Sequence, residues 1–506
     1  FLSPRVNRRK DAYGGKLENR ARLLRELIED TREAVGDRCA VAVRLAIDEL
    51  HGEDGITSGG DGGRVVEMLA ELPDLWDIAL GGGLGNDSCS SRFSAEGYQE
   101  RYTGLVKSLT SKPVVSTGRF TSPDTMAGQI RRGVQDFIGA ARPSIADPFL
   151  PAKIDEGRED EIRECIGCNI CRSANNEGAP LRCTQNPTMG EEWRRGWHPE
   201  IVPAAEKKQS LLVVGGGPAG LEAALTLARR GHRVTLAEAG GELGGRVVRE
   251  ARLPGLQNWI RVRDYRAGLL ARMANVDIYL NSRLEAADVA EFEADHVVVA
   301  CGSRWRRDGL GHNLRRPLLP SDAGNVFTPD DLFAGTEPGG DVLIYDDDHY
   351  FMAGALAEQL LQAGRRVRYL TPAATISSWS AMTNEQDFIV RRLLPMGIEA
   401  VFNRVAETIE PGRLITRGIY GGDTEDHEFD SLLLVTSRRP EDDLFERLQH
   451  GTATRIGDCL VPSSIADAVY SGHRFAREFG EDPASLLPRR ERSRLLPLSS
   501  REEIST

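Results

Sequence analysis

Three cysteines fall within seven residues, Cys165, Cys168 and Cys171, and Cys183 follows after eleven more. The run reads C-I-G-C-N-I-C and continues to C-T-Q-N-P. Thiolates are soft ligands that suit iron–sulfur clusters, and a cubane needs four of them converging on one small object. Two C-x-x-C steps that share the middle cysteine wrap three sulfurs around a single tight loop. Gly167, Gly178, Pro180 and Pro187 are expected to keep the segment out of regular helix or strand. Zinc is the competing ligand, although structural zinc sites usually draw their cysteines from two separated pairs. Disulfides fit poorly, because nothing resembling a secretory signal accompanies the cysteines. The spacing therefore predicts a [4Fe–4S] site with zinc as the alternative.

At 506 residues, the chain has room for two to four domains, each with its own core. A net charge of −12 without a long basic run argues against a nucleic-acid partner. No run of 18 apolar residues is present, so no membrane span is expected. The remaining cysteines are scattered and read as packing or surface thiols, in keeping with a reducing, cytoplasmic setting.

Four short apolar runs, beginning near Cys39, Leu75, Lys112 and Gln135, alternate with helical segments. Such alternation predicts βα units around a parallel sheet. Four strands cannot close a barrel that needs eight. Arg44, Gly118, Arg119 and Arg142 are expected at strand ends, where parallel barrels place their active sites. An open α/β sheet with the arginines in surface ion pairs is the alternative.

Further on, L-L-V-V-G-G-G-P-A-G reads as a strand, a glycine turn and a helix start. Gly215 permits the turn, Gly217 admits a pyrophosphate, and Gly220 packs helix on strand. The helix N-terminus adds amide donors and a favourable dipole. A second strand ends at Glu238, eighteen residues past Gly220, where a carboxylate can bind ribose hydroxyls. A dinucleotide or ADP site follows. The later strings H-V-V-V-A-C-G and R-I-G-D resemble the flavin-domain signatures of disulfide-reductase-like proteins. That resemblance puts Asp458 near the flavin side of the nucleotide; read alone, Asp458 is as well explained as a helix cap. Between these signatures lies an inserted Rossmann-like unit whose first strand runs into Asp346, Asp347 and Asp348 instead of a glycine turn. Three carboxylates there would oppose the phosphates of NAD(P)H. A solvated acidic turn is the blander reading, and it too leaves no nicotinamide site.

The N-terminal F-L-S-P through N-R, the V-R-L strand and G-A-A-R-P-S-I-A-D-P together resemble the Old Yellow Enzyme barrel. With the cysteine loop and T-Q-N-P-T-M-G-E-E-W-R-R-G-W-H-P-E, the chain resembles the trimethylamine dehydrogenase branch, which includes dimethylamine and histamine dehydrogenases. The resemblance implies an α/β chain built from the C-terminal half of an FMN-binding (β/α)8 barrel (1–155) and a [4Fe–4S] segment (156–205). A Rossmann-type FAD or ADP domain (206–334 and 431–490) follows, interrupted by an inserted NAD(P)-binding-like unit without function (335–430). A polar tail (491–506) ends the chain. It also implies that about half of the barrel, with much of the FMN site, precedes Phe1.

The implied function is oxidation of a small amine, with electrons passing from FMN to the cluster and on to an electron-transferring flavoprotein. Pairing with a second copy of the chain belongs to the same expectation. Arg44 would stand beside the flavin pyrimidine, and Gly118, Arg119 and Arg142 would hold the FMN phosphate. Asp87 matches the active-site aspartate whose histidine partner lies upstream of Phe1. Two tryptophans of the amine-binding bowl align with Leu84 and Asn175, which points away from trimethylamine itself. The rival readings are an NAD(P)H-dependent enoate or 2,4-dienoyl-CoA reductase and an electron-transfer module without substrate turnover.

Overall fold

The structure is a computed structural model that describes residues 1–81, 90–318, 324–448 and 451–489, without the side chains of 174–177 and 483–484. Its first unit is a four-stranded parallel sheet, Ala42–Asp48, Leu75–Leu80, Val114–Thr117 and Phe137–Gly139, paired in chain order. Helices Gly63–Leu69, Glu100–Leu109 and Pro123–Arg131 separate the strands, and Leu17–Val35 precedes them. Alternate residues point to opposite faces of a strand. Val43, Leu45, Ile47, Trp76 and Ile78 accordingly pack with Leu69, Tyr102 and Val106 from the helices. Arg44, Ala46, Asp77 and Thr117 are left on the opposite face, the inner one of a barrel.

The cysteine segment is pinned to the end of this sheet by buried charge. Lys153 donates to Asp147 at 2.7 Å, to the Glu161 carbonyl at 2.8 Å and to Glu200 at 3.1 Å. Asp147 also accepts from the Arg163 amide at 2.9 Å. A buried ion pair persists only when its remaining hydrogen-bonding positions are filled, as they are here. The expectation that this segment avoids helix is corrected, because Ile170–Glu177 is helical. Gly167 and Gly178, both at positive φ, flank the helix and delimit it instead of preventing it.

The nucleotide-type unit is a five-stranded parallel sheet in the order Ala453–Arg455, His296–Val299, Ser210–Val214, Arg233–Ala237, Val276–Tyr279. The helix Pro218–Arg229 follows its central strand and is buried along most of its length against Ile465–Glu478. A second five-stranded parallel sheet is inserted, in the order Val326–Phe327, Ser431–Val435, Val342–Asp346, Val367–Leu370, Glu399–Val401. Two of its strands lie outside 335–430. A three-stranded antiparallel sheet, Arg404–Glu410, Arg413–Gly418 and Thr424–Glu428, extends it. The chain enters and leaves the insert through one antiparallel pair, Ser303–Trp305 with Arg438–Pro440, in which Trp305 faces Arg438. No helix among the described residues is long and apolar enough to cross a membrane.

Candidate functional site

The four cysteines meet where the barrel sheet ends. Burial pushes the Cys171 thiol up to about 11 and the Cys183 thiol up to about 12, and Cys168 still higher, each raised further by its cysteine neighbours. Backbone N–H groups point at these sulfurs: Gly167 donates to Cys165 at 3.4 Å, Ile170 faces Cys168, and Gln185 and Asn186 face Cys183. The Thr184 hydroxyl lies 3.2 Å from the Cys168 sulfur. Among the described residues, no three His, Cys, Asp or Glu side chains are grouped tightly enough to hold a single metal ion. Four cysteines with backbone amide donors at their sulfurs are a donor set that fits a cubane.

Arg119 and Arg142 tie this segment to the barrel. Arg119 stands two residues past the end of the strand Val114–Thr117 and holds φ at 56°, in the left-handed region. One of its nitrogens donates to the Ser94 carbonyl, and the guanidinium covers Gly167 so closely that a Cβ there would lie 2.8 Å from Nη2. Its Nε is buried against Gly167 without a hydrogen-bond partner. Burial lowers the Arg119 pKa, against the pull of Cys165. Arg142 follows the strand Phe137–Gly139 and donates to the Ser90 carbonyl and to Asn169 Oδ1, both at 2.5 Å. Gly118 packs against the Phe120 ring, 2.9 Å from where a Cβ would stand. These three residues occupy the expected strand ends, but the two guanidinium groups turn toward the cysteine loop.

Arg44 does not sit at a strand end. The alternation of Val43, Leu45 and Ile47 carries the strand to Asp48, so Arg44 is its third residue of seven. It stands on the inner face, 59% exposed, and donates to Asp77 at 2.9 Å. Asp87 and Leu84 lie outside the described residues, as does the Asn175 side chain.

The glycine turn is built as its spacing implies. Gly215 has φ of +108° and lies against the Ala300 carbonyl; a Cβ on Gly220 would stand 1.9 Å from the Gly215 oxygen. Gly217 meets nothing within 4 Å and faces open space. A cavity of ≈ 680 Å³ opens there, lined by Gly215, Gly217, Glu238, Arg246, Arg438 and Asp458 among others. The Glu238 carboxylate accepts from the Gly216 and Gly240 amides, each at 2.7 Å, bracing the turn from the ribose side. Asp458 accepts from Arg246 at 2.8 Å, Arg438 at 2.5 Å and Ser303 at 3.1 Å. Burial alone would raise its pKa, but the two arginines hold it below the usual carboxylate range. The isolated Asp458 motif thus conceals an ion cluster. Its arginines carry no local motif and come from a short helix and from the strand that leaves the insert.

In the insert's acidic turn Asp346 and Asp347 are buried, which corrects the expectation of a solvated turn, while Asp348 lines a cavity. Asp346 is fully buried, accepts from the Tyr369 hydroxyl and the His349 amide, and has its pKa raised to about 7 by burial. Asp347 accepts from the amides of Asn313 at 3.0 Å and Leu314 at 2.9 Å. A loop of the chain thus covers the turn, with Gly311 so close that a Cβ would lie 2.2 Å from Asp347 Oδ2.

Residues 1–161 match the NADH:flavin oxidoreductase / NADH oxidase family, 210–299 the FAD dependent oxidoreductase family, and 327–432 the OYE-like second alpha/beta domain. The chain is 38% identical to the dimethylamine dehydrogenase of Hyphomicrobium sp. (strain x) over 96% of its own length and 72% of that protein's. Histamine dehydrogenase from Rhizobium sp. 4-9 superposes with a TM-score of 0.94 at 47% identity, over 98% of this chain and 74% of that one. The 6-hydroxypseudooxynicotine amine oxidase of Pseudomonas geniculata N1 gives a TM-score of 0.91 at 50% identity, over 95% of this chain and 73% of that one. With its barrel strands, glycine turn and inserted second sheet matched in one continuous order, the chain belongs to the dimethylamine and histamine dehydrogenase branch of the Old Yellow Enzyme-like flavoprotein oxidoreductases.

Proposed function

We propose that this oxidoreductase removes two electrons from a small amine at an FMN on the barrel and passes them through a [4Fe–4S] cluster on Cys165, Cys168, Cys171 and Cys183. An electron-transferring flavoprotein takes them from there. The observation that carries the reading is the contact between Arg119, Arg142 and the cysteine loop, which joins the catalytic end of the barrel to the thiols with no other domain between. When bound, the flavin would supply the two-electron oxidation and the cluster a one-electron relay.

The chain's own residues have separable tasks in this scheme. Arg44, on the inner barrel face, would stabilise negative charge at the flavin pyrimidine when the flavin is bound. Gly118 and Arg119 are assigned to the FMN phosphate on the strength of the resemblance, and Arg142 would fix the cysteine loop through Asn169. Asp87 is assigned to substrate, on the strength of its motif. Amide donors at the cysteine sulfurs would favour the reduced, more negative state of the cluster.

In the nucleotide cavity, Gly217 and the helix N-terminus would hold a pyrophosphate, and Glu238, which braces the turn, would face the ribose. Arg246 and Arg438, locked on Asp458, form the far wall. The nucleotide is FAD or ADP, and chromatography of the ligand released by heat distinguishes the two.

The test is anaerobic purification followed by iron and sulfide analysis and a substrate screen. About four irons and four sulfides per chain are expected, with flavin bleaching by dimethylamine, histamine or a related amine. Bound zinc, or bleaching by NADPH and by no amine, would overturn the proposal.

A further inference from the structure

A hydroxyl beside the cysteine loop is aimed at a sulfur. Thr184, 3% exposed, places its Oγ1 3.2 Å from Cys168 Sγ. The donors at the sulfurs from Gly167, Ile170, Gln185 and Asn186 are backbone amides, which no side-chain substitution removes.

The residues after Thr184 are held from several sides. Gln185 Nε2 donates to the Glu164 carbonyl at 3.1 Å, and its Oε1 accepts from Arg266 Nη1 at 3.0 Å. Arg266 is itself locked on Glu222. Asn186 Nδ2 donates to the Ile145 carbonyl at 3.0 Å, and its Oδ1 accepts from the Thr188 hydroxyl at 2.7 Å. Neighbours fixed in this way leave the Thr184 backbone little freedom, so the place of its hydroxyl at Cys168 is built into the fold.

Chemistry then sets the direction of the hydrogen bond. A free thiol and a hydroxyl can each donate to the other. A cysteine that ligates a metal is a thiolate with no proton to give, so Thr184 must be the donor. In buried surroundings a hydrogen bond to a charged sulfur is stronger than in water. A donor at a ligand sulfur favours the state with more negative charge, which is the reduced one.

We propose that Thr184 is a positioning residue of the electron relay: acting through Cys168, its hydroxyl raises the reduction potential of the [4Fe–4S] cluster. The inference rests on the cluster reading above and adds to it one named side-chain donor. Without that donor, electron transfer from the flavin would be less favourable and transfer to the acceptor more so.

Redox titration of the anaerobically purified protein, cofactors retained, tests this, with the reduced cluster followed by electron paramagnetic resonance. Thr184→Val keeps the shape and removes the donor. Its reduction equilibrium constant should fall about fivefold, a drop of ~40 mV at about 59 mV per tenfold for one electron. Thr184→Ser retains a hydroxyl and should restore the wild-type potential. Ser173 donates to the Ile170 carbonyl at 2.7 Å and not to a sulfur, so Ser173→Ala should leave the potential where it was. An unmoved potential in Thr184→Val, or an equal fall in Thr184→Ser, would overturn the proposal. Should Thr184→Val lose its cluster, Thr184→Ala is titrated in its place. Loss of the cluster from both would also overturn the proposal, since Thr184 would then govern assembly and not potential. Iron and sulfide analysis of each preparation keeps the two readings apart. Zinc in the wild type removes the cluster reading itself, whereas about four irons with an unmoved potential removes only the role of Thr184.

Discussion

Glu222 is a buried carboxylate that stays charged. It accepts from Arg266 Nε at 2.6 Å and from His473 Nδ1 at 2.8 Å. Burial would raise its pKa, but Arg266 and His473 outweigh that and bring it down to about 2. An unfolded glutamate titrates near ~4.3. Since the folded pKa is the lower one, the stabilisation is complete above the unfolded value and is lost as pH falls from about 4.3 toward 2. The difference corresponds to ~3 kcal/mol. Glu222→Gln should therefore lower the unfolding temperature at pH 7 and flatten its dependence on pH below 5, by scanning calorimetry across pH. An unchanged acid limb would show that Glu222 is not the group responsible. Cys168→Ser tests the cysteine site directly: iron and sulfide should fall to near zero, whereas Cys39→Ser, on an exposed residue, should leave both intact. At this scale the four cysteines could be read in sequence because ligand spacing is local. Arg246 and Arg438 could not, since Arg246 lies 212 residues from the aspartate it pairs with.

At the scale of elements, the glycine turn shows a local rule prevailing over a general one. Alanine normally stabilises a helix relative to glycine by ~1 kcal/mol. On Gly220 its Cβ would stand 1.9 Å from the Gly215 carbonyl oxygen, which only backbone movement can relieve. Overpacking of this kind costs about 1–3 kcal/mol, so Gly220→Ala should lower the melting temperature and reduce retained nucleotide. Gly268→Ala is the control, because nothing lies within 4 Å of its Cβ position. A stabilised Gly220→Ala protein with full nucleotide content would refute the packing argument. Periodicity and glycine spacing revealed the barrel strands and this turn, since both are set by neighbours in the chain. They misplaced Arg44, because A-I-D after Leu45 carries no strong strand signal; only packing of Ile47 against the helices extends the strand. The helix at Ile170–Glu177 was hidden for a similar reason, its flanking glycines being read as breakers of the whole segment.

At the scale of the molecule, contacts between distant segments decide what the insert can do. Arg92 pairs with Glu385 at 3.3 Å, both almost wholly buried, and Asn169 Nδ2 donates to the Thr383 carbonyl at 3.0 Å. The insert is thereby fastened to the loop after the second barrel strand and to the cysteine segment. Such pairs join residues more than 200 positions apart, and no pattern in the sequence announces them. The same folding covers the acidic turn, whose carboxylates accept the donors a pyrophosphate would need. Asp347 takes the Asn313 and Leu314 amides, and Asp346 takes those of Asp348 and His349. A bound NADPH would have to expel that loop and set its phosphates against buried carboxylates, and both steps are unfavourable. We therefore expect neither NADH nor NADPH to reduce the flavin, with rates in stopped flow no faster than background. Asp347→Asn should not create activity, because the covering loop stays in place. Reduction by an amine, followed by electron transfer to a flavoprotein acceptor, is the expected course. Rapid flavin reduction by NADPH would show that the turn opens, and would move this chain to the reductases that share its barrel.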